Sequence, residues 1–300
     1  MARKALLVGI NDYPGTQNDL QGCVNDTTNL YDVLVKYFGF APADIVLLSN
    51  SRARRTAILD GLKSLVAGAG PGDSLVFHYS GHGSQVRDVD GDELEDGKDE
   101  VLCPYDFDWS GGFIRDDDLA AIIGGMAGGV HLEVVLDSCH SGTGTRELIL
   151  DRRSLARLAA TPLATDPAEA WKSAACIRPR YLAPPADIEL RADEVFGPAL
   201  PLRRILRAQP MNHVLWAACR SNQFSADAEI DGKPSGAFTY FFCRHLRAVQ
   251  GKVSRDQLLR LVRASLKHEG FSQVPQLEGP EGSGAASLFG LEQQAAARAR

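Results

Sequence analysis

The chain has 300 residues, 44% of them hydrophobic, enough for the core of one large α/β domain or two small ones. Its 38 acidic against 32 basic side chains argue against a nucleic-acid-binding surface and make a cationic peptide the more natural partner. No apolar run reaches the length of a membrane span, so no membrane association is expected.

The first predicted element is a core strand over residues 4–10. Its apolar run is too short for a signal peptide and breaks at Asn11-Asp12 without a small-residue cleavage site. A helix follows over about 25–38, where Leu30, Val33, Leu34, Tyr37 and Phe38 form one stripe and Gly39 can close the C-terminus. Strand-like runs at 45–48, 74–79, 132–137 and 213–218 then alternate with helical patterns at about 56–67, 116–127, 236–249 and 254–268. This order predicts an α/β fold with a mostly parallel sheet covered by helices. Between about 143 and 211 the periodicity dissolves into Arg, Ala, Pro and Asp. So long a stretch within one domain is expected to be functional or disordered.

Two of the strands end in reactive residues. Leu75-Val76-Phe77-His78-Tyr79-Ser80-Gly81-His82-Gly83 and Val134-Val135-Leu136-Asp137-Ser138-Cys139-His140-Ser141-Gly142 both run from apolar residues into small and polar ones, as buried parallel strands do where they emerge into a crevice. Adjacent, they bring a thiol, an imidazole, a carboxylate and a hydroxyl together. A thiolate is the good nucleophile and a nearby histidine shuttles its proton. His82 is preferred over His140, which as the residue next to Cys139 should point elsewhere, while His78 inside the apolar strand reads as a core or wall residue. The six cysteines, at 23, 103, 139, 176, 219 and 243, follow no metal or disulfide spacing, and a working thiol needs a reducing compartment. A cytoplasmic location is therefore expected.

Tyr79-Ser80-Gly81-His82-Gly83 and Asp137-Ser138-Cys139-His140-Ser141-Gly142 resemble the two catalytic motifs of the metacaspases, the caspase-like cysteine peptidases. The resemblance implies a caspase-like three-layer α/β/α sandwich. It divides the chain into a large (p20-like) catalytic region at 1–146, a linker at 147–210, a small (p10-like) region at 211–290 completing the same domain, and a tail at 291–300. It also implies His82 as the proton shuttle, Cys139 as the nucleophile, and the backbone amides of Gly83 and Cys139 as the oxyanion donors. Cys23 and Asp26, in Gly22-Cys23-Val24-Asn25-Asp26, match the family's substrate pocket together with Ser80 and Asp137. Two buried carboxylates favour Arg or Lys before the cut and repel an acidic side chain. The plainer alternative is that Asp26 caps its helix and Asp137 is a strand-end acceptor.

The run from Asp88 to Glu100 is dense in carboxylates but fails as an EF-hand loop, with Glu93 and Asp99 at its sixth and twelfth positions. Asp99 with Asp116-Asp117-Asp118 resembles instead the calcium site of many metacaspases. Glu147, beside Arg146, is an approximate substitute for the family's remaining ligand. The expectation is a calcium-stimulated, monomeric endopeptidase with no organic cofactor, acting on peptides or proteins with Arg or Lys before the cut. Self-cleavage is expected in the linker, after Arg152 or Arg153 ahead of Arg178 and Arg180, because Pro179 blocks a cut after Arg178. The rivals are an inactive caspase-like binding scaffold and an Asp-specific peptidase.

Overall fold

The computed structural model describes residues 1–87, 98–139, 177–185, 211–220 and 223–291. Strand β1 (Arg3–Gly9) leads into helix α1 (Cys23–Phe38), then β2 (Ile45–Ser49), α2 (Arg55–Val66) and β3 (Ser74–Ser80). An antiparallel pair, β4 (Gly83–Arg87) and β5 (Lys98–Leu102), is joined by the short β6 (Ile114–Arg115), which runs into α3 (Asp116–Gly124). Then come β7 (His131–Asp137) and the two-residue β8 (Arg178–Pro179). The last elements are β9 (Val214–Ala217), β10 (Ala226–Ile230), β11 (Lys233–Gly236), α4 (Ala237–Ala248), α5 (Arg255–His268) and β12 (Gln276–Glu278).

The main sheet has the order β12-β9-β7-β3-β1-β2. Its strands pair in parallel except β12, which runs antiparallel at one edge. Every residue of β3 is buried, which is why its sequence is a continuous apolar run rather than an alternating one. Alternation shows only in what each side chain meets. Leu6, Val8, Leu75, Phe77, Val134 and Leu136 pack with α2 and α3, whereas Ala5, Leu7, Val76, Val135 and Trp216 pack with α1, α4 and α5. The result is a three-layer α/β/α sandwich. Each fully buried large apolar side chain stabilises it by roughly 1.5–3 kcal/mol.

Helix α1 starts two residues earlier than its pattern predicts, with Gly22 at the N-cap and no side-chain cap. Asp26 therefore lies inside the first turn, so the capping alternative for it fails. At the other end Gly39 adopts φ 70° and its N–H closes on Leu34 O, a left-handed conformation that costs glycine little.

Two three-stranded sheets, β4-β5-β6 and β11-β10-β8, were not legible beforehand. Their strands are short and mixed in polarity, and β8, lying within the expected linker, is fixed by its pairing with β10 and by Arg178 Nη1 donating to Asp19 O at 2.6 Å.

Candidate active site

Parallel register sets the site. Gly9 pairs with Ser80 and Ser80 with Asp137, so β1, β3 and β7 end at one level and their next residues enter one crevice. Cys139 lies two residues beyond β7 and is fully buried. The Ser225 N–H donates to its Sγ at 2.6 Å, and Sγ lies 3.4 Å from Ser225 O.

His82 lies two residues beyond β3. Its backbone N–H donates to the Tyr13 hydroxyl at 2.9 Å, and its ring tilts against the Tyr13 ring at 4.9 Å. The imidazole Nε2 is 2.8 Å from the Asn18 carbonyl, which assigns the proton to Nε2 and the lone pair to Nδ1. Burial lowers the His82 pKa to about 4, so the ring is neutral near pH 7. His78, fully buried in β3 and pushed down to about 4 by the same cause, is a core residue. His140 lies outside the described residues.

The crevice holds a side chain expected only as a lesser cleavage point. Arg180 is completely buried, and its guanidinium meets carboxylates on three sides. Nη2 donates to Asp26 Oδ2 at 2.7 Å and to Asp227 Oδ1 at 2.9 Å. Nη1 donates to Ser80 Oγ at 2.7 Å and lies 3.2 Å from Asp137 Oδ1. The Ser80 hydroxyl donates in turn to Asp26 Oδ2 at 2.7 Å.

The pocket walls are braced from behind. Asp26 accepts the Gly236 N–H, Asp227 accepts the N–H groups of Gln21 and Gly22, and Asp137 accepts from the Thr239 amide and hydroxyl and from the Ser225 hydroxyl. Burial pushes Asp26 up to about 7 even with the guanidinium pulling the other way. It also pushes the Cys23 thiol, at the start of α1, well above its usual range and keeps it neutral.

The backbone of Arg180 is held as firmly as its side chain. Its carbonyl oxygen accepts from the Gly83 N–H at 3.0 Å and the Cys139 N–H at 3.1 Å, and its own N–H donates to Ser225 O at 3.1 Å. A β-carbon at position 83 would run into the Cys139 carbonyl, so only glycine brings that amide so close. The structure thus gathers Cys23, Asp26, Ser80, His82, Gly83, Asp137 and Cys139 around one residue. Asp227, Ser225 and Asn18 were missed as site residues. Asp227 lies within the stretch 211–290 expected to form the small region, with no motif to single it out, whereas Asn18 acts through its carbonyl and leaves no sequence signal.

A Metacaspase, peptidase C14 domain matches residues 3–146. Metacaspase-1 of Pyricularia oryzae is 36% identical over 92% of this chain and 71% of its own length. The chain belongs to the metacaspase family. Metacaspases are cysteine peptidases, and the enzyme class follows: a hydrolase. Metacaspase-1 of Schizosaccharomyces pombe is 35% identical over 92% of this chain and 66% of its own length. Among solved structures, protein GSU0716 from Geobacter sulfurreducens is similar at a TM-score of 0.63 with 25% identity, covering 93% of this chain and 94% of the other. Caspase-1 from Spodoptera frugiperda, 12% identical with a TM-score of 0.52 over 92% and 86% of the two chains, shows the shared caspase-like fold.

This metacaspase also has an acidic group away from the thiol. Asp99 of β5, buried, and Asp116 and Asp117 in the first turn of α3 place one carboxylate oxygen each within 4.8 Å of one another. Such oxygen donors suit a hard cation such as calcium, with other oxygens completing its shell. Asp118 is engaged elsewhere, accepting from Arg55 Nη2 at 3.0 Å and from the Arg115 N–H at 3.2 Å. Glu147 and most of the acidic run, 88–97, lie outside the described residues. No helix among those described is long and apolar enough to cross a membrane.

Proposed function

We propose that this metacaspase is an endopeptidase cutting after arginine, and after lysine more slowly, through a Cys139–His82 dyad. The observation that carries the reading is the seat of Arg180: guanidinium among three carboxylates, carbonyl on two amides next to the thiol. A planar guanidinium reaches Asp26 and Asp227 with one nitrogen and Ser80 and Asp137 with the other. A lysine ammonium is a single point and cannot span both pairs. An aspartate side chain would face three like charges, which disfavours the Asp-specific alternative.

In this reading His82 Nδ1 takes the Cys139 thiol proton as Sγ attacks the carbonyl carbon. The N–H groups of Gly83 and Cys139 stabilise the oxyanion, and the proton then passes to the departing amine. Water hydrolyses the thioester and restores the thiol.

Asp99, Asp116 and Asp117 would hold a calcium ion, which when bound neutralises their mutual repulsion and ties β5 to α3. Strand β5 pairs with β4, whose first residue is Gly83, so ordering one end of that pair steadies the oxyanion amide at the other. Self-cleavage belongs to the same reading, after Arg180 rather than after Arg152 or Arg153, both of which lie outside the described residues. The proline objection stands for Arg178 only, since Arg180 is followed by Tyr181. Residues 1–146 and 211–290 form one catalytic domain, the linker between them supplies Arg180, and 291–300 is a tail. The described cysteines are all free thiols, in keeping with a reducing, cytoplasmic setting, and a monomer acting on peptide or protein substrates suffices for the chemistry.

The test is a panel of fluorogenic peptides ending in Arg, Lys or Asp, with and without calcium, on wild type and Cys139→Ala. Arg peptides should be cleaved fastest and only by wild type. Preferred cleavage after Asp, or activity in the Cys139 variant, would refute the reading.

A further inference from the structure

The seated segment continues past Arg180, and the cleft grips it there too. Tyr181 pairs with Gly83 in a parallel bridge, and the Leu182 N–H donates to Gly83 O at 3.0 Å. The Ser84 hydroxyl donates to Leu182 O at 2.5 Å. Glycine 83 thus presents its N–H to the residue before the bond and its C=O to the second residue after it, which fixes the chain direction through the site.

Side chains are engaged as well. The Tyr181 ring lies 5.7 Å from the Phe224 ring at 54°, within the range of a favourable tilted aromatic pair. Leu182 packs against the apolar cluster beneath α2 and α3. On the other side of the bond, Pro179 is exposed and contributes only backbone pairing with Ala226.

We propose that the cleft selects the two residues following the cut, favouring an aromatic ring first, read by Phe224, and a leucine-like side chain second, taken by the apolar cluster while Ser84 holds that residue's backbone. This rests on the reading of Arg180–Tyr181 as the seated bond. The ligand class is an extended peptide of the form Arg-aromatic-leucine, with little demand on the residue before arginine.

The experiment uses full-length protein and internally quenched peptides containing Pro-Arg-Tyr-Leu, Pro-Arg-Gly-Leu, Pro-Arg-Tyr-Gly or Pro-Asp-Tyr-Leu. Replacing Tyr or Leu by Gly should lower kcat/KM by about threefold or more. Phe224→Ala should bring the Tyr-to-Gly ratio towards one, and Phe224→Tyr should retain it. Should Phe224→Ala fold poorly, Phe224→Leu keeps the bulk without the ring and is read in its place. Equal rates for the Tyr and Gly peptides in wild type, or an undiminished ratio without the ring at 224, would overturn the proposal while Arg cleavage stands. Cleavage of the Asp peptide in preference to the Arg peptides would instead bring down the arginine reading beneath it.

Discussion

Asp227 Oδ1 stands 2.9 Å from Arg180 Nη2 and equally 2.9 Å from the Gly22 backbone nitrogen. One carboxylate therefore both grips the guanidinium and holds the loop that begins α1, which carries Cys23 and Asp26. A wall from β10 is in this way tied to the walls that α1 supplies.

Replacing Asp227 by Ala should reduce kcat/KM for Arg peptides by about 2–5 kcal/mol, or roughly 30- to several-thousand-fold, because a buried cation loses a charged partner. Asp26→Ala should act similarly. These variants and Asp137→Ala should in addition lower thermal stability, since each carboxylate also braces backbone amides, and Asp137→Ala most, because it anchors the start of α4 through both the amide and the hydroxyl of Thr239. Steady-state rates beside thermal melts separate the two effects. A full rate in Asp227→Ala would show that the guanidinium does not need it.

The pH profile should be governed by the pocket rather than by the imidazole. His82 at about 4 is already neutral above pH 5, whereas Asp26 at about 7 loses its charge as the pH falls through neutrality. Its attraction for a guanidinium is thus present above about 7 and lost below. With a guanidinium seated, as Arg180 is here, the expected acid limb near 7 is that of kcat, and Asp26→Asn should flatten it at a lower overall rate. A limb that persists unchanged in Asp26→Asn would assign it to another group.

Calcium should raise activity, and Asp116→Asn or Asp117→Asn should abolish that response. Asp99→Asn should do so most completely, as the buried member of the three. Calorimetric titration of each variant reads binding apart from rate. Undiminished activity in excess chelator would remove the metal from the account.

Intact-mass measurement of wild type with calcium should find a new terminus at Tyr181, absent from Cys139→Ala. Arg180→Gln should suppress that cut, because an uncharged amide leaves three buried carboxylates without a cation. A terminus after Arg152 or Arg153 in wild type would place the cut elsewhere.

Much of this was legible in the chain. The long apolar strands and amphipathic helices are periodic over enough residues to be read, and the thiol and imidazole announce themselves at strand ends. What escaped was fixed by tertiary pairing alone. Residues 178–182 have no periodicity because their order comes from hydrogen bonds to Ser225, Gly83 and Cys139, residues distant in sequence. Asn18 escaped because a carbonyl contact places no demand on side-chain type, and Phe224 because one aromatic in a loop resembles any other. Pro179 follows Arg178 alone and leaves the bond after Arg180 open.

The seat of Arg180 has a kinetic consequence. A ligand joined to its own site acts at an effective concentration on the order of millimolar when the connection spans the distance, so an outside peptide of equal affinity at micromolar concentration wins the cleft roughly once in a thousand encounters. Cutting after Arg180 does not end this competition, because residues 140–179 still tether the arginine to Cys139. The part beginning at Tyr181 stays in the fold through the pairing of β9 with β7. Turnover of external substrate should then begin with a lag set by departure of the tethered end, a unimolecular event whose duration does not change when the enzyme is diluted.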